Sequence, residues 1–196
     1  MRAVRRVVGR AMPLDREDVD TDQIIPAHWL KRVERTGYGA GLFEAWRRDP
    51  AFVMNDPRYA GASVLIAGAN FGSGSSREHA VWALDEAGFR AVIAPRLADI
   101  FRANCLKSGV VPVELTSDEV ATLLRLAERE PQSDITIDVE TRTVEAPGLH
   151  ARFALDDHAR VRLLEGLDDI AVTLEHASEI TKYEASRATW LPSLRD

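Results

Sequence analysis

The chain has 196 residues, 45% of them hydrophobic and 29% charged, with a formal net charge of −6. This suits one globular domain with a full core and excludes wholesale disorder, while the acidic balance disfavours a nucleic-acid partner or an anionic membrane surface. The one cysteine, Cys105, excludes an internal disulfide, and also a thiolate cluster or structural zinc site built from this chain alone.

The arginine-rich start, MRAVRRVVGR, lacks the long apolar region of a secretory signal, and no apolar run reaches membrane-spanning length. A cytoplasmic protein is expected. Val4, Val7 and Val8 suggest an opening strand over residues 3–11. A loop with five acids in eight residues follows, Asp15 to Asp22. It lacks the alternating ligands, glycine and terminal glutamate of a calcium loop. Gln23 to Leu30 is apolar and expected to be buried, so Asp20 and Asp22 stand where a loop enters the core and a carboxylate needs a reason. His28 in this run reads as a core or interface histidine. Lys31 to Gly41, with three cations and three glycines, reads as an exposed, mobile loop of the kind that carries ligand contacts. A short helix is expected over Leu42–Arg48.

Ser63 to Ala80 organises the rest. Ser63–Gly68 is an uncharged, β-branched run that reads as a buried strand. Phe71-Gly72-Ser73-Gly74-Ser75-Ser76 is a glycine-serine turn, and Arg77 opens a helix whose apolar face is Ala80, Trp82, Ala83, Leu84 and Ala87. Such a turn aims backbone N–H groups and partial positive charge at whatever lies above the helix start. Arg77 adds a guanidinium suited to a carboxylate or phosphate. The dinucleotide fingerprint, the Walker pattern and the G-x-S-x-G elbow are all absent. A serine-capped helix with no further role fits the same pattern.

Downstream, strands at Ala91–Ala94 and Val110–Leu115 alternate with helices reaching Lys107 and about Glu128, the latter capped by Thr116 or Ser117. This succession favours parallel pairing with helical cover. Short antiparallel strands are expected over 135–139, 141–144 and 149–155, with a turn at Pro147-Gly148. Two or three helices follow from Asp156 to Ala188. Trp190-Leu191-Pro192 reads as a tail that could lie against a partner. Residues 1–196 are expected to form a single domain, with about 156–196 as a helical extension. Cys105 reads as a small core residue, and the histidines lack metal-ligand spacing.

Three segments carry a resemblance. Gly72 to Ala80 is similar to the signature of the swivel domain of the aconitase superfamily. Val19 to Pro26 resembles the motif that opens that domain, and Asp99 to Asn104 another of its segments, with a shared asparagine. Order and spacing agree across nearly the whole chain. Within the superfamily, the size of the chain, the loop Leu30–Gly37 and the stretch Gly166–Leu174 resemble the free-standing small subunits of 3-isopropylmalate dehydratases.

The resemblance implies an α/β fold: a swivelling β/β/α domain with a mixed sheet, a second β layer and flanking helices. It implies a hydro-lyase interconverting 2- and 3-isopropylmalate, small carboxylate substrates, in leucine biosynthesis. The [4Fe–4S] cluster would be held by cysteines of a large subunit, and no metal or cofactor by this chain. Ser75 would act as an alkoxide base, Arg77 would clamp a substrate carboxylate, and Asp22 would be an acidic active-site residue. Gly74 and Ser76 would border the substrate, while Lys31, Arg32, Val33 and Arg35 would lie in the loop that reads the variable part of the acid. His79 reads as a packing residue, Asn104 as one that holds the Ser75 loop, and His158 as a surface residue at a helix start. A sibling hydro-lyase acting on homologous acids, a non-catalytic anion-binding module, and a lone hydrolase using Ser75 and His79 remain open readings.

Overall fold

The computed structural model describes residues 1–34, 36–188 and 190–191. It is built on a seven-stranded mixed sheet of order β4-β3-β2-β1-β5-β6-β7. The strands are β1 (Arg6–Leu14), β2 (Val64–Ala67), β3 (Ala91–Ala94), β4 (Val111–Glu114), β5 (Asp134–Asp138), β6 (Thr143–Ala146) and β7 (Leu149–Arg152). The long first strand serves two halves. Its residues Arg6–Arg10 pair antiparallel with β5, and Ala11–Leu14 pair parallel with β2. The expected second β layer takes the form of this antiparallel wing, joined to the parallel half through β1.

Strand alternation sorts the side chains into two cores. Met12, Leu14, Leu65, Ala67, Val92 and Ala94 point to one face, where helices α2 (Glu78–Glu86) and α3 (Asp99–Ser108) pack. Ala11, Val64, Ile66, Ala91, Ile93, Val111 and Val113 point to the other. That face is covered by α4 (Ser117–Arg129), whose Val120, Leu123, Leu124 and Ala127 form one helical stripe. Each large side chain in the stripe contributes about 1.5–3 kcal/mol of burial. The wing curls over the same helix through Ile135, Ile137, Val144, Ala151 and Phe153. Thr116 and Glu119 cap α4 reciprocally, as the sequence suggested.

Three expectations need correction. Leu42–Arg48 is not an α-helix: Phe43 takes φ +49°, which breaks helical geometry, and only Trp46–Arg48 forms a 3₁₀ turn. Phe43 gains its place by stacking on Trp46 and meeting Phe52 edge-on. In the 23–30 run, Ile24 and Ile25 are fully buried, but Ala27 and His28 are exposed. A one-turn 3₁₀ helix over Ala27–Lys31 lies along the surface there. The 31–41 loop is not exposed throughout. Tyr38 is buried, and the N–H groups of Gly37 and Gly39 donate to the Glu86 carboxylate at the end of α2, at 3.1 and 2.9 Å.

Three helices close the chain: α5 (Asp157–Glu165), α6 (Asp169–Leu174) and α7 (Ala177–Ser186). Ala159 and Leu163 of α5 join the second core, whereas α6 and α7 bury no residue. Trp190 is exposed; Pro192 lies outside the described residues. No helix among the described residues is long and apolar enough to cross a membrane.

Candidate active site

The site forms where β2 ends and α2 begins, at the carboxyl edge of the parallel half, the usual ligand position in open α/β sheets. The intervening turn is clamped from two sides. From below, Phe71 N–H donates to the Arg96 carbonyl, Ala98 N–H donates to the Phe71 carbonyl, and the Phe71 ring meets Phe101 edge-on. Gly72 has φ +81°, and a Cβ there would run into the Phe101 ring. Only glycine meets both demands.

From the side, the segment that follows the acidic loop runs against the turn. The N–H groups of Gly72 and Ser73 donate to the Val19 carbonyl at 2.7 and 3.2 Å, and Thr21 N–H donates back to the Ser73 carbonyl at 2.9 Å. This segment is held in shape by a one-turn helix, α1 (Thr21–Ile24), with a reciprocal cap. Gln23 N–H donates to Asp20 at 2.8 Å, and Asp20 N–H donates to the Gln23 side chain at 2.9 Å. The capping role is the reason Asp20 sits at this entry to the core.

The clamp leaves Gly74, Ser75 and Ser76 exposed at the tip of the turn. The buried Thr21 hydroxyl donates to the Ser75 carbonyl at 3.0 Å and lies 3.4 Å from Ser75 Oγ. Gly74 takes φ +87° and passes close to Asp20 and Thr21. Arg77 stands at the N-cap position of α2 in extended conformation and supplies no side-chain cap. The serine-capped helix is therefore not what forms; the amino end of α2 faces the serine tip without a side chain closing it. The Arg77 side chain is only 14% exposed and forms an ion pair with Asp22, which is 56% exposed. Its Nη1 also reaches the Ile25 carbonyl at 3.5 Å. The guanidinium is thus held from behind by a backbone carbonyl and faced on its outer side by a carboxylate.

Asp22, Gly74, Ser75, Ser76 and Arg77 thus come together around one turn. The 31–33 segment does not join them: Lys31, Arg32 and Val33 are exposed, Val33 to 93%, and none bonds to Ser75 or Arg77. Arg32 instead lies over the Trp29 ring at 5.3 Å, while Trp29 donates to Glu44. Arg35 lies outside the described residues. His79 packs between Tyr38 and Trp82, with ring centroids at 5.2 and 4.6 Å, and burial holds its pKa below the usual histidine value. That fits the packing role. His28 is 61% exposed and pairs with Glu44 at 3.0 Å, so it is not a core residue. His158 is exposed at the start of α5. The Asn104 side chain makes no hydrogen bond among the described residues; Val19, Thr21, Arg96 and Ala98 hold the turn instead. Thr21 was missed in the sequence. Its signal was a β-branched hydroxyl residue between two acids, close before an apolar pair.

Cys105 is fully buried, and burial pushes its thiol pKa far up, so it is no metal ligand. Among the described residues no group of three His, Cys, Asp or Glu could hold a metal ion. The residues of this chain therefore do not fit an iron–sulfur cluster.

Comparison with known proteins accords with this geometry. The family model of the aconitase C-terminal domain matches residues 1–118, and the model of the C-terminal domain of 3-isopropylmalate dehydratase small subunits matches residues 169–194. The chain is 60% identical to a 3-isopropylmalate dehydratase small subunit from Parafrankia over 94% of this chain and 95% of that one. Identity to the counterpart from Rubrobacter xylanophilus is 54% over 98% of both. A crystal structure of 3-isopropylmalate dehydratase from Methanocaldococcus jannaschii superimposes with a TM-score of 0.67 at 25% identity, covering 90% of this chain and 98% of that one. With the strand–turn–helix site and its clamping segment both inside the matched region, the chain belongs to the family of 3-isopropylmalate dehydratase small subunits, within the aconitase superfamily.

Proposed function

We propose that this chain supplies half of a hydro-lyase active site, interconverting 2- and 3-isopropylmalate by dehydration and rehydration once a large subunit docks over the Ser75 turn. The observation that carries the reading is the convergence of Ser75 and the Asp22–Arg77 pair on one exposed, rigidly clamped turn. Removing a proton α to a carboxylate needs a placed base and fixed positive charge where negative charge develops. Ser75 is the proposed base. The amino end of α2 and the Arg77 guanidinium favour its anionic form, which an ordinary serine hydroxyl does not reach. Arg77 would exchange Asp22 for a substrate carboxylate, and Asp22 would then orient a group across the interface. Gly74 and Ser76 border the substrate because they share the exposed tip. A [4Fe–4S] cluster on the large subunit would supply the Lewis acid that eases loss of the substrate hydroxyl.

The test is reconstitution under anaerobic conditions with a cluster-loaded large subunit from the same organism, following the absorbance of the unsaturated intermediate from 3-isopropylmalate. Activity is expected only in the mixture. Ser75→Ala should lower it by roughly 10²–10⁴-fold while the two chains still associate. Full activity of the Ser75→Ala mixture would remove the base assignment. A preference for citraconate or homocitrate would place the chain with a sibling hydro-lyase.

A further inference from the structure

The arginine-rich start of the chain has no role in the site above, and the fold gives it one. At the opposite end of the parallel sheet, Arg2, Arg5, Arg6 and Arg90 line one concavity of about 240 Å³, together with Val4, Val8 and Ser63. Ser63 directly precedes β2, whereas the Ser75 turn follows it, so a four-residue strand of roughly 13 Å separates the two places. The concavity exists because Arg6–Arg10 pair with β5 on one side, while β2 begins only opposite Ala11. The other edge of β1 is left open there.

Its electrostatics run against those of the molecule. In a chain of net charge −6, four arginines line one hollow. Arg90 is held in place by the Asp85 carboxylate and, at 2.9 Å, by the Asp85 carbonyl. Arg6 lies 3.9 Å from Asp138. Arg2 and Arg5 are exposed and make no ion pair among the described residues. The acids near the hollow thus answer two of its four cations. The Ser63 hydroxyl is enclosed against Gly9 and does not open onto the hollow, so the charge there rests on the arginines.

We propose that this hollow is a binding site for a small, doubly charged oxyanion, with Arg2 and Arg5 as the free cations and Arg90 as the preorganised one. Inorganic phosphate and a short dicarboxylate such as malate share that chemistry. The site is separate from the carboxylate site proposed at Arg77 and does not depend on the role given to it.

The test is isothermal titration of the full chain with phosphate and, separately, with malate, at constant ionic strength set with chloride. Three forms are compared: the unaltered chain, Arg77→Ala, and the Arg2→Ala/Arg5→Ala double variant. Saturable binding of at least one anion, unchanged by Arg77→Ala and weakened about tenfold or more by the double variant, is the expected result. Which anion saturates the site identifies the ligand class. Binding of neither anion, binding lost with Arg77→Ala, or full binding by the double variant would each overturn the proposal. Arg2 and Arg5 are exposed, so the double variant retains its fold; circular dichroism checks this.

Discussion

The turn at residues 69–77 and the loop at 31–36 are both glycine-bearing or cationic connections assigned to one active site, yet they are built in opposite ways. The turn is tied to the 18–21 segment, to Arg96 and Ala98, and to the Phe101 ring, so its serines are exposed on a rigid base. The described loop residues are all exposed and are tied by Arg32, over the Trp29 ring and bonded to the Trp29 carbonyl, and by the Glu34 carbonyl, which accepts from the Tyr38 hydroxyl. Chemistry that moves a proton needs atoms placed to a fraction of an ångström before the substrate arrives. Discrimination between acids can wait until substrate and partner are present, because it depends on contacts made late. The molecule concentrates its packing on the first and leaves the second open.

Four experiments would break or sharpen this contrast. The largest effect is expected from Gly72→Ala, which meets the Phe101 ring and a positive φ together. It should cost about 2–4 kcal/mol, read as a fall in Tm of roughly 5–15 °C, with activity of the reconstituted enzyme lost alongside. A Tm unchanged within error would show that the turn is less tightly clamped than described. Thr21→Val comes next. It keeps the shape but removes the donor to Ser75, and should lower kcat about tenfold while KM stays near its original value. Equal activity would mean the clamp works through backbone alone, and Thr21→Ser should restore most of the rate.

A smaller effect concerns the anchored end of the loop. Burial lowers the His79 pKa below its ordinary 6.5, so the unfolded chain binds the proton first as pH falls. The stability linked to neutral His79 is whole above pH 6.5 and is lost as pH falls below it, through the folded-state pKa. His79→Phe should flatten the difference in Tm between about pH 7.5 and about pH 5.5; an unchanged difference would assign that slope to other groups. Smallest of all, Val33→Ala should change stability by less than about 0.5 kcal/mol, given its exposure, yet alter the ratio of kcat/KM between isopropylmalate and homologous acids by a few-fold. An unaltered ratio would take Val33 out of the selecting role.

Much of this was legible in the sequence, where a local rule and the global fold agreed. The β-branched run before Gly68, the Thr116–Glu119 cap and the glycines at 72 and 74 each have a local cause, so their elements appeared where expected. Leu42–Arg48 departs from its helical spacing because aromatic packing overrides it: Phe43 leaves helical geometry to stack on Trp46. His28 is exposed because an apolar neighbourhood in sequence does not fix which face a 3₁₀ turn shows to water. Thr21 carried only a local hint, because its partner lies 54 positions away.

The sequence by itself determined the strand–turn–helix unit, the parallel half of the sheet, the absence of cluster ligands and the family. The first three follow from short-range periodicity, turn chemistry or residue counts, and the family from the resemblance that three motifs carry. Tertiary structure alone decided that β1 serves both halves of the sheet, that Arg77 is backed by Ile25 and faced by Asp22, and that the Thr21 hydroxyl reaches Ser75. It alone gathered Arg2, Arg5, Arg6 and Arg90 around Ser63. Each of these joins residues far apart in the chain, and such contacts are fixed by how the layers pack, which no local pattern encodes.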